Sequence, residues 1–160
     1  MLSVNIICVG KLKEKYWTMA VAEYEKRLKS FCRFKIIEID EEKLPDNPGK
    51  AQIENTLDKE GKRIIKNIGK GAKVISLCIE GKIISSKQLS QMLNETAVNG
   101  TSEIDFIIGG SWGLSDEVKN MSHIHLSMSK MTFPHQLARV MLCEQVYRGF
   151  QILTGGKYHK

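Results

Sequence analysis

The sequence predicts one α/β domain, a mainly parallel sheet flanked by helices, and three observations predict it. Apolar runs of strand length alternate with segments of helical period from end to end. At 160 residues the chain is long enough to bury one sizeable core. Hydrophobic residues make up 42% and charged ones 26%, a globular composition with no internal repeat, low-complexity tract or linker to divide it. The expected domain therefore spans 1–160.

Val4–Val9 reads as the first strand, ending at Gly10, and Tyr16–Leu28 as an amphipathic helix. Phe34–Ile39 is the second strand. The stretch Asp40–Lys50, with Pro45, Pro48 and Gly49, is a loop. Ala51–Ile68 is a heavily charged helix, Lys73–Ile79 a third strand, and Glu80-Gly81-Lys82 a turn. Ser86 is placed to cap a helix through Val98. Glu103–Ile108 is a fourth strand that runs straight into Gly109-Gly110. Ser115 caps a short helix whose first turn carries Asp116 and Glu117, the sign that the helix dipole prefers there. Ile124–Met128 is a short fifth strand. Pro134 opens a long last helix that runs to about Leu153, before Gly155-Gly156.

Lys plus Arg number 24 against 18 Asp plus Glu, a net charge of +6. Such an excess suits a polyanion without naming one. Cys8, Cys32, Cys78 and Cys143 are scattered, with no metal-ligand spacing, so neither a zinc site nor a disulfide framework is expected. The opening residues carry no basic stretch or cleavage signal, and no apolar run reaches the ~20 residues of a membrane span. A cytoplasmic protein is the expectation.

Three segments are candidates for chemistry. Phe106–Gly113 puts a glycine-rich turn at a strand end, where open α/β sheets bind ligands. It matches neither GxGxxG nor a phosphate-binding loop, and a tight strand-to-helix turn explains it equally well. Leu126–His135 is a strand end rich in small hydroxyl residues that feeds a helix start, suited to a ligand's polar edge or to a plain turn.

The last helix and tail form the third. Helical spacing puts His135 and Arg139 on one face, as a candidate site or as a surface cation pair. Glu144 and Arg148 fall nearly opposite and read as a structural ion pair. The remaining positions are apolar almost all round, as in a helix buried between layers or at a subunit interface. The tail Tyr158-His159-Lys160 joins a base-stacking ring, an imidazole and a cation, unusual for a frayed end. Trp17 reads as core. Trp112 covers a ligand or packs its own loop.

At these segments the sequence resembles the ribosomal RNA large subunit methyltransferase H proteins, of the SPOUT class of knotted methyltransferases. The matching residues are Ile-Gly-Gly-Ser-Trp-Gly at 108–113, Lys-Met-Thr-Phe-Pro-His-Gln-Leu-Ala-Arg-Val at 130–140, Glu-Gln-Val-Tyr-Arg-Gly-Phe at 144–150, and Tyr158-His159-Lys160. The opening Val9-Gly10-Lys11-Leu12-Lys13 fits as well, so the likeness spans essentially the whole chain.

The resemblance implies a deep trefoil knot in the C-terminal part, a homodimer, and S-adenosyl-L-methionine as cofactor. It implies as substrate the N3 of a pseudouridine in helix 69 of 23S rRNA, on the assembled ribosome. Cofactor contacts carry over to Leu77, Gly109, Met128, Ser129, Lys130, Met131, Thr132 and Phe133. The imide N3 is a poor nucleophile until its proton leaves, so cations near its carbonyl oxygens stabilise the developing anion. Arg139, His135, Tyr158 and His159 are expected to meet at the subunit interface for this, with His159 or solvent as proton acceptor. Doubling +6 gives +12 per dimer, modest against a ribosome, so recognition of the assembled particle's shape is expected to matter. Two rival readings are a non-enzymatic RNA-binding module and a nucleotide-binding protein that uses Gly109–Gly113.

Overall fold

The computed structural model describes residues 1–160. Five strands form one sheet: β1 (Ser3–Val9), β2 (Arg33–Ile39), β3 (Lys73–Ile83), β4 (Glu103–Ile108) and β5 (Ile124–Ser127). Their order is β2-β1-β4-β3-β5, and every pairing is parallel. Five helices connect or follow them: α1 (Lys15–Leu28), α2 (Lys50–Lys66), α3 (Ser86–Val98), α4 (Asp116–Met121) and α5 (His135–Leu153).

Parallel strands buried on both faces need helices on both sides, and the side chains sort accordingly. Val4, Ile6 and Cys8 of β1 and Ile104, Phe106 and Ile108 of β4 pack with Leu28 of α1, Leu93 of α3 and Leu142 and Val146 of α5. On the other face, Ile7, Val9 and Ile107 pack with Ile64 of α2 and Val118 of α4. The period-two alternation along β1 and β4 thus assigns α1, α3 and α5 to one layer and α2 and α4 to the other. Gly61 makes the second layer close: a β-carbon there would lie 2.6 Å from the Ser115 hydroxyl oxygen.

Several boundaries differ from the expectation, each for a local reason. The predicted turn at Glu80–Lys82 is not a chain reversal. Residues Cys78–Gly81 leave the ladder as a bulge, and β3 rejoins β5, so that Leu126 faces both Leu77 and Lys82. Gly81 permits this, since a β-carbon there would lie 2.6 Å from the Leu126 carbonyl carbon. The cap of α3 is Ser85 rather than Ser86. Its hydroxyl accepts from Gln88 N at 3.1 Å, and its own N–H donates to Gln88 Oε1 at 2.8 Å. Ser86 instead donates to Gln145 Oε1 at 2.6 Å, tying α3 to α5. Pro134 sits just outside α5, at the cap position. Trp17 is half-buried and edge-on to Tyr16, not core.

No helix is long and apolar enough to cross a membrane. All four cysteines are free, and no cluster of three or more His, Cys, Asp or Glu side chains could hold a metal ion.

Candidate functional site: a cavity at the strand ends

The carboxyl ends of β3, β4 and β5 and the start of α5 enclose a cavity of about 640 Å³. Cofactor sites typically run ~300–1,000 Å³. β4 contributes Ile108 and the loop Gly109–Leu114, and β3 contributes Leu77 and the bulge residues Cys78, Ile79 and Glu80. β5 and its exit loop contribute Leu126–Ser129 and Met131–Phe133, the cap residue Pro134 follows, α5 adds His135 and Ala138, and α4 adds Lys119.

Backbone rather than side chain shapes the β4 loop. Gly113 has φ +84°, a region that favours glycine, and its N–H donates to Gly110 O at 3.1 Å. A β-carbon on Gly109 would stand 2.4 Å from Gly113 O, so the loop folds back on itself only because residue 109 is bare. The β5 exit is braced by hydroxyls: Ser127 Oγ donates to Ser129 O at 3.0 Å, and Met131 N–H donates to Ser129 Oγ at 3.1 Å. No side chain caps the start of α5, so its first-turn N–H groups are free to meet a ligand.

Only two charged side chains line the cavity, Glu80 and Lys119, and His135 adds a titratable imidazole. Glu80 and Lys119 form an ion pair of 2.7 Å across the bulge and α4. This pairing holds the Glu80 carboxyl below, and the Lys119 ammonium above, their ordinary ranges. Burial pushes the His135 imidazole down, Arg139 and Lys13 add to that, and Glu41 opposes it. His135 is therefore a neutral ring at the cavity rim, able to accept a proton.

Of the residues expected to contact a cofactor, Leu77, Gly109, Met128, Ser129, Met131, Thr132 and Phe133 all line this cavity. Lys130 does not. It sits at the crown of the Ser129–Met131 turn, with its side chain exposed. The cavity also takes in Cys78–Glu80 and Lys119, which nothing in the sequence singled out. The third strand read as ending at Ile79 with a plain turn from Glu80, and the ion pair that brings Lys119 there is non-local. Trp112, flagged as a possible cover, is a half-exposed lining residue.

The four expected catalytic residues separate into two places. His135 is in the cavity wall. Arg139, one turn further on, is neither in the wall nor in a surface cation pair, because only 1% of it is exposed. Its Nη1 donates to Glu38 Oε2 at 2.8 Å and its Nη2 to Gly10 O at 3.0 Å, while Nε has no partner. Arg139 thus ties the ends of β1 and β2 to α5.

Tyr158 and His159 lie at the far end of α5, packed on the Glu144–Arg148 ion pair. Arg148 Nη2 meets Glu144 Oε1 at 2.6 Å, its guanidinium lies 4.7 Å from the Tyr158 ring centre, and its Nη1 is 3.4 Å from His159 Nδ1. Tyr147 packs edge-on against Tyr158 at 4.9 Å. Burial first, then the nearby Tyr24 hydroxyl and Glu144 carboxylate, push the Tyr158 phenol up to about 12. His135 and Arg148 are thirteen residues apart on one helix, about 20 Å at helical rise. Within one chain the tail and the cavity do not meet.

This geometry has parallels among known proteins. The family model described as "Predicted SPOUT methyltransferase" matches residues 2–159. The fold is similar to that of a probable methylase family protein from Haemophilus influenzae Rd KW20, at TM-score 0.55 and 14% identity, covering 98% of this chain and 70% of that one. It is also similar to a probable methyltransferase from Bordetella pertussis Tohama I, at TM-score 0.59 and 11% identity, covering 92% of this chain and 95% of that one. At these identities the two structures speak to the fold alone. The family match runs nearly the full length of the chain, and by it the chain belongs to the SPOUT methyltransferase family.

Proposed function

We propose that this methyltransferase uses S-adenosyl-L-methionine to methylate N3 of a pseudouridine in helix 69 of 23S rRNA, on the assembled ribosome and as a cytoplasmic homodimer. The observation that carries the reading is the cavity itself. Seven of the eight residues expected from the resemblance to touch the cofactor surround one space of suitable size, with apolar walls and free backbone groups. The bare β-carbon position at Gly109 fits a loop folded tightly enough for backbone to approach a ligand closely. The deep trefoil knot belongs to the same proposal, supported by the family.

The bound sulfonium supplies an electrophilic methyl group, and the protein's task is orientation and charge. Leu77, Gly109, Met128, Ser129, Met131, Thr132 and Phe133 would hold the cofactor against the strand ends. His135, neutral at the rim, can take a proton or hold one at an oxygen of the base. Tyr158 stays protonated at working pH and can donate a hydrogen bond to a developing oxyanion. His159 is the second candidate acceptor. Arg139, engaged by Glu38 and Gly10, is proposed here as a positioning residue that fixes the Gly10 turn and the rim around His135.

The homodimer would bring one subunit's tail to the other's cavity, bridging the distance along α5. In support, α5 keeps a half-exposed apolar face that includes Leu137, Ala138, Val140 and Met141. Beside it on α1, Tyr16 and Met19 are largely exposed. An apolar face of this kind suits a second copy.

The test is transfer of a radiolabelled methyl group to ribosomes lacking the modification, followed by nucleoside mapping. Label at N3 of a single pseudouridine in 23S rRNA is expected. Label at another nucleoside would keep the methyltransferase and overturn the substrate. Naked helix 69 hairpin methylated as fast as intact ribosomes would overturn the dependence on the assembled particle.

A further inference from the structure

We infer that the Gly10–Lys15 segment, between β1 and α1, is the surface that holds the RNA's phosphates around the target nucleotide, with Lys11, Lys13 and Lys15 as the contacts. The inference rests on the proposed RNA substrate. All strands are parallel and β1 lies beside β4, so this segment leaves the sheet at the edge where the cavity opens. It abuts the cavity wall, because a β-carbon on Gly110 would lie 3.2 Å from Val9 Cγ1. Its base is fixed: Gly10 N–H donates to Ile39 O at 2.8 Å, Arg139 holds Gly10 O at 3.0 Å, and Leu12 packs on the main core. Lys11, Lys13 and Lys15 are all exposed.

The charge of this segment is left free. None of the three lysines forms an ion pair, whereas Arg27, Arg63, Lys119, Arg139 and Arg148 all do. Glu14, the segment's one acid, pairs with none of them. Lys15 opens α1, whose first turn carries no acid and whose start no side chain caps, although the helix dipole favours negative charge there. The lysines thus add to the helix's own positive end, at a cost to local stability. Beneath them, Arg139 is 1% exposed and its Nε lacks an acceptor. Lys13 is close enough to His135 to help hold its imidazole down. On the β2 side the patch is bounded by Glu41, whose Oε2 would lie 3.5 Å from a β-carbon on Gly10. A nucleotide whose base enters the cavity keeps its phosphates outside, over the rim. Unpaired lysines beside His135 meet them there, positioning the strand and leaving base choice to the cavity.

Methyl transfer to unmodified ribosomes, followed over a range of salt concentrations, tests this. In Lys11→Gln/Lys13→Gln/Lys15→Gln, KM for ribosomes is expected to rise at least about tenfold at low salt. The slope of log kcat/KM against log salt should shrink by about two to three, near one per lost phosphate contact. S-adenosylhomocysteine binding and the melting temperature should stay close to wild type. Lys11→Arg/Lys13→Arg/Lys15→Arg should keep the wild-type slope. Lys59→Gln/Lys62→Gln/Lys66→Gln, at exposed positions of α2, removes the same charge and should leave the slope nearly unchanged. An unmoved slope in the first variant, or an equal change in the α2 variant, overturns the inference and leaves the methyltransferase reading intact. Protein-free 23S rRNA should compete at low salt for the wild type and only weakly for the first variant. Competition by assembled particles alone would assign the lysines to ribosomal protein and overturn the phosphate contacts. No methyl transfer to any RNA by the wild type would sink the proposed substrate and this inference together.

Discussion

Replacing Arg139 separates a residue that reacts from one that holds the reacting rim in place. Arg139→Ala removes a side chain that is 1% exposed, with charge-assisted bonds to Glu38 at 2.8 Å and to Gly10 O at 3.0 Å. Glu38 is 38% exposed and can return to water, so its loss counts little. The Gly10 carbonyl cannot, because that turn is buried, and an unpaired buried acceptor costs about 1–3 kcal/mol. With the space left by the stem, a loss of roughly 2–4 kcal/mol is expected. For a domain of this size that lowers the melting temperature by about 5–12 °C.

Arg139→Met keeps the stem and removes a guanidinium whose Nε has no partner, so its cost should be nearer 1 kcal/mol. Differential scanning calorimetry of both variants tests this ranking. An Ala variant melting within about 2 °C of wild type would refute the tethering role. A positioning role also predicts a shift that mere destabilisation would not give. Arg139 holds the His135 imidazole down, so Arg139→Met should raise the His135 pKa in a proton NMR titration. An unchanged His135 titration would leave Arg139 as packing only.

Further outcomes follow from the site. Gly109→Ala forces a β-carbon to 2.4 Å from Gly113 O, so the loop must open; binding of S-adenosylhomocysteine should weaken at least tenfold by calorimetry, and unaltered binding would contradict the cradle. Deleting Tyr158–Lys160 should abolish methyl transfer while leaving cofactor binding nearly intact, since the tail lies about 20 Å from its own cavity, and full activity in the truncated chain would refute the composite site. His135 carries a pKa lowered on folding, so the native state binds the fewer protons. Its share of stability is complete above the ordinary imidazole range and is lost as pH falls through the depressed folded value. His135→Gln should flatten that part of the stability profile, and an unaltered profile would show another group is responsible.

Much of the fold was legible because it rests on local patterns. The alternation Val4, Ile6, Cys8 against Ile7, Val9 tells which faces of β1 are covered, and the Gly109-Gly110 run marks a strand end. Cavity-lining positions were legible where glycine-rich or hydroxyl-rich runs end a strand, as at Gly109 and Met128, whereas Leu77 was reached only through the resemblance. What could not be read depends on non-local pairing. The β3 bulge looks like a turn until β5 is beside it, and Lys119 enters the site only through Glu80. Arg139 shares a helix face with His135, yet its burial is decided by Glu38 and Gly10, about a hundred or more residues away. Ser85 and Ser86 are equally good caps by type, and Gln88 and Gln145 choose between them.

If the space between the ends of β3, β4 and β5 is a methyl donor's seat, calorimetry on the purified chain will register it. S-adenosyl-L-methionine and S-adenosylhomocysteine should each bind at one site per chain, and ATP should give no binding heat. Binding of ATP alone, or binding of the two sulfur compounds that Gly109→Ala leaves untouched, would contradict it.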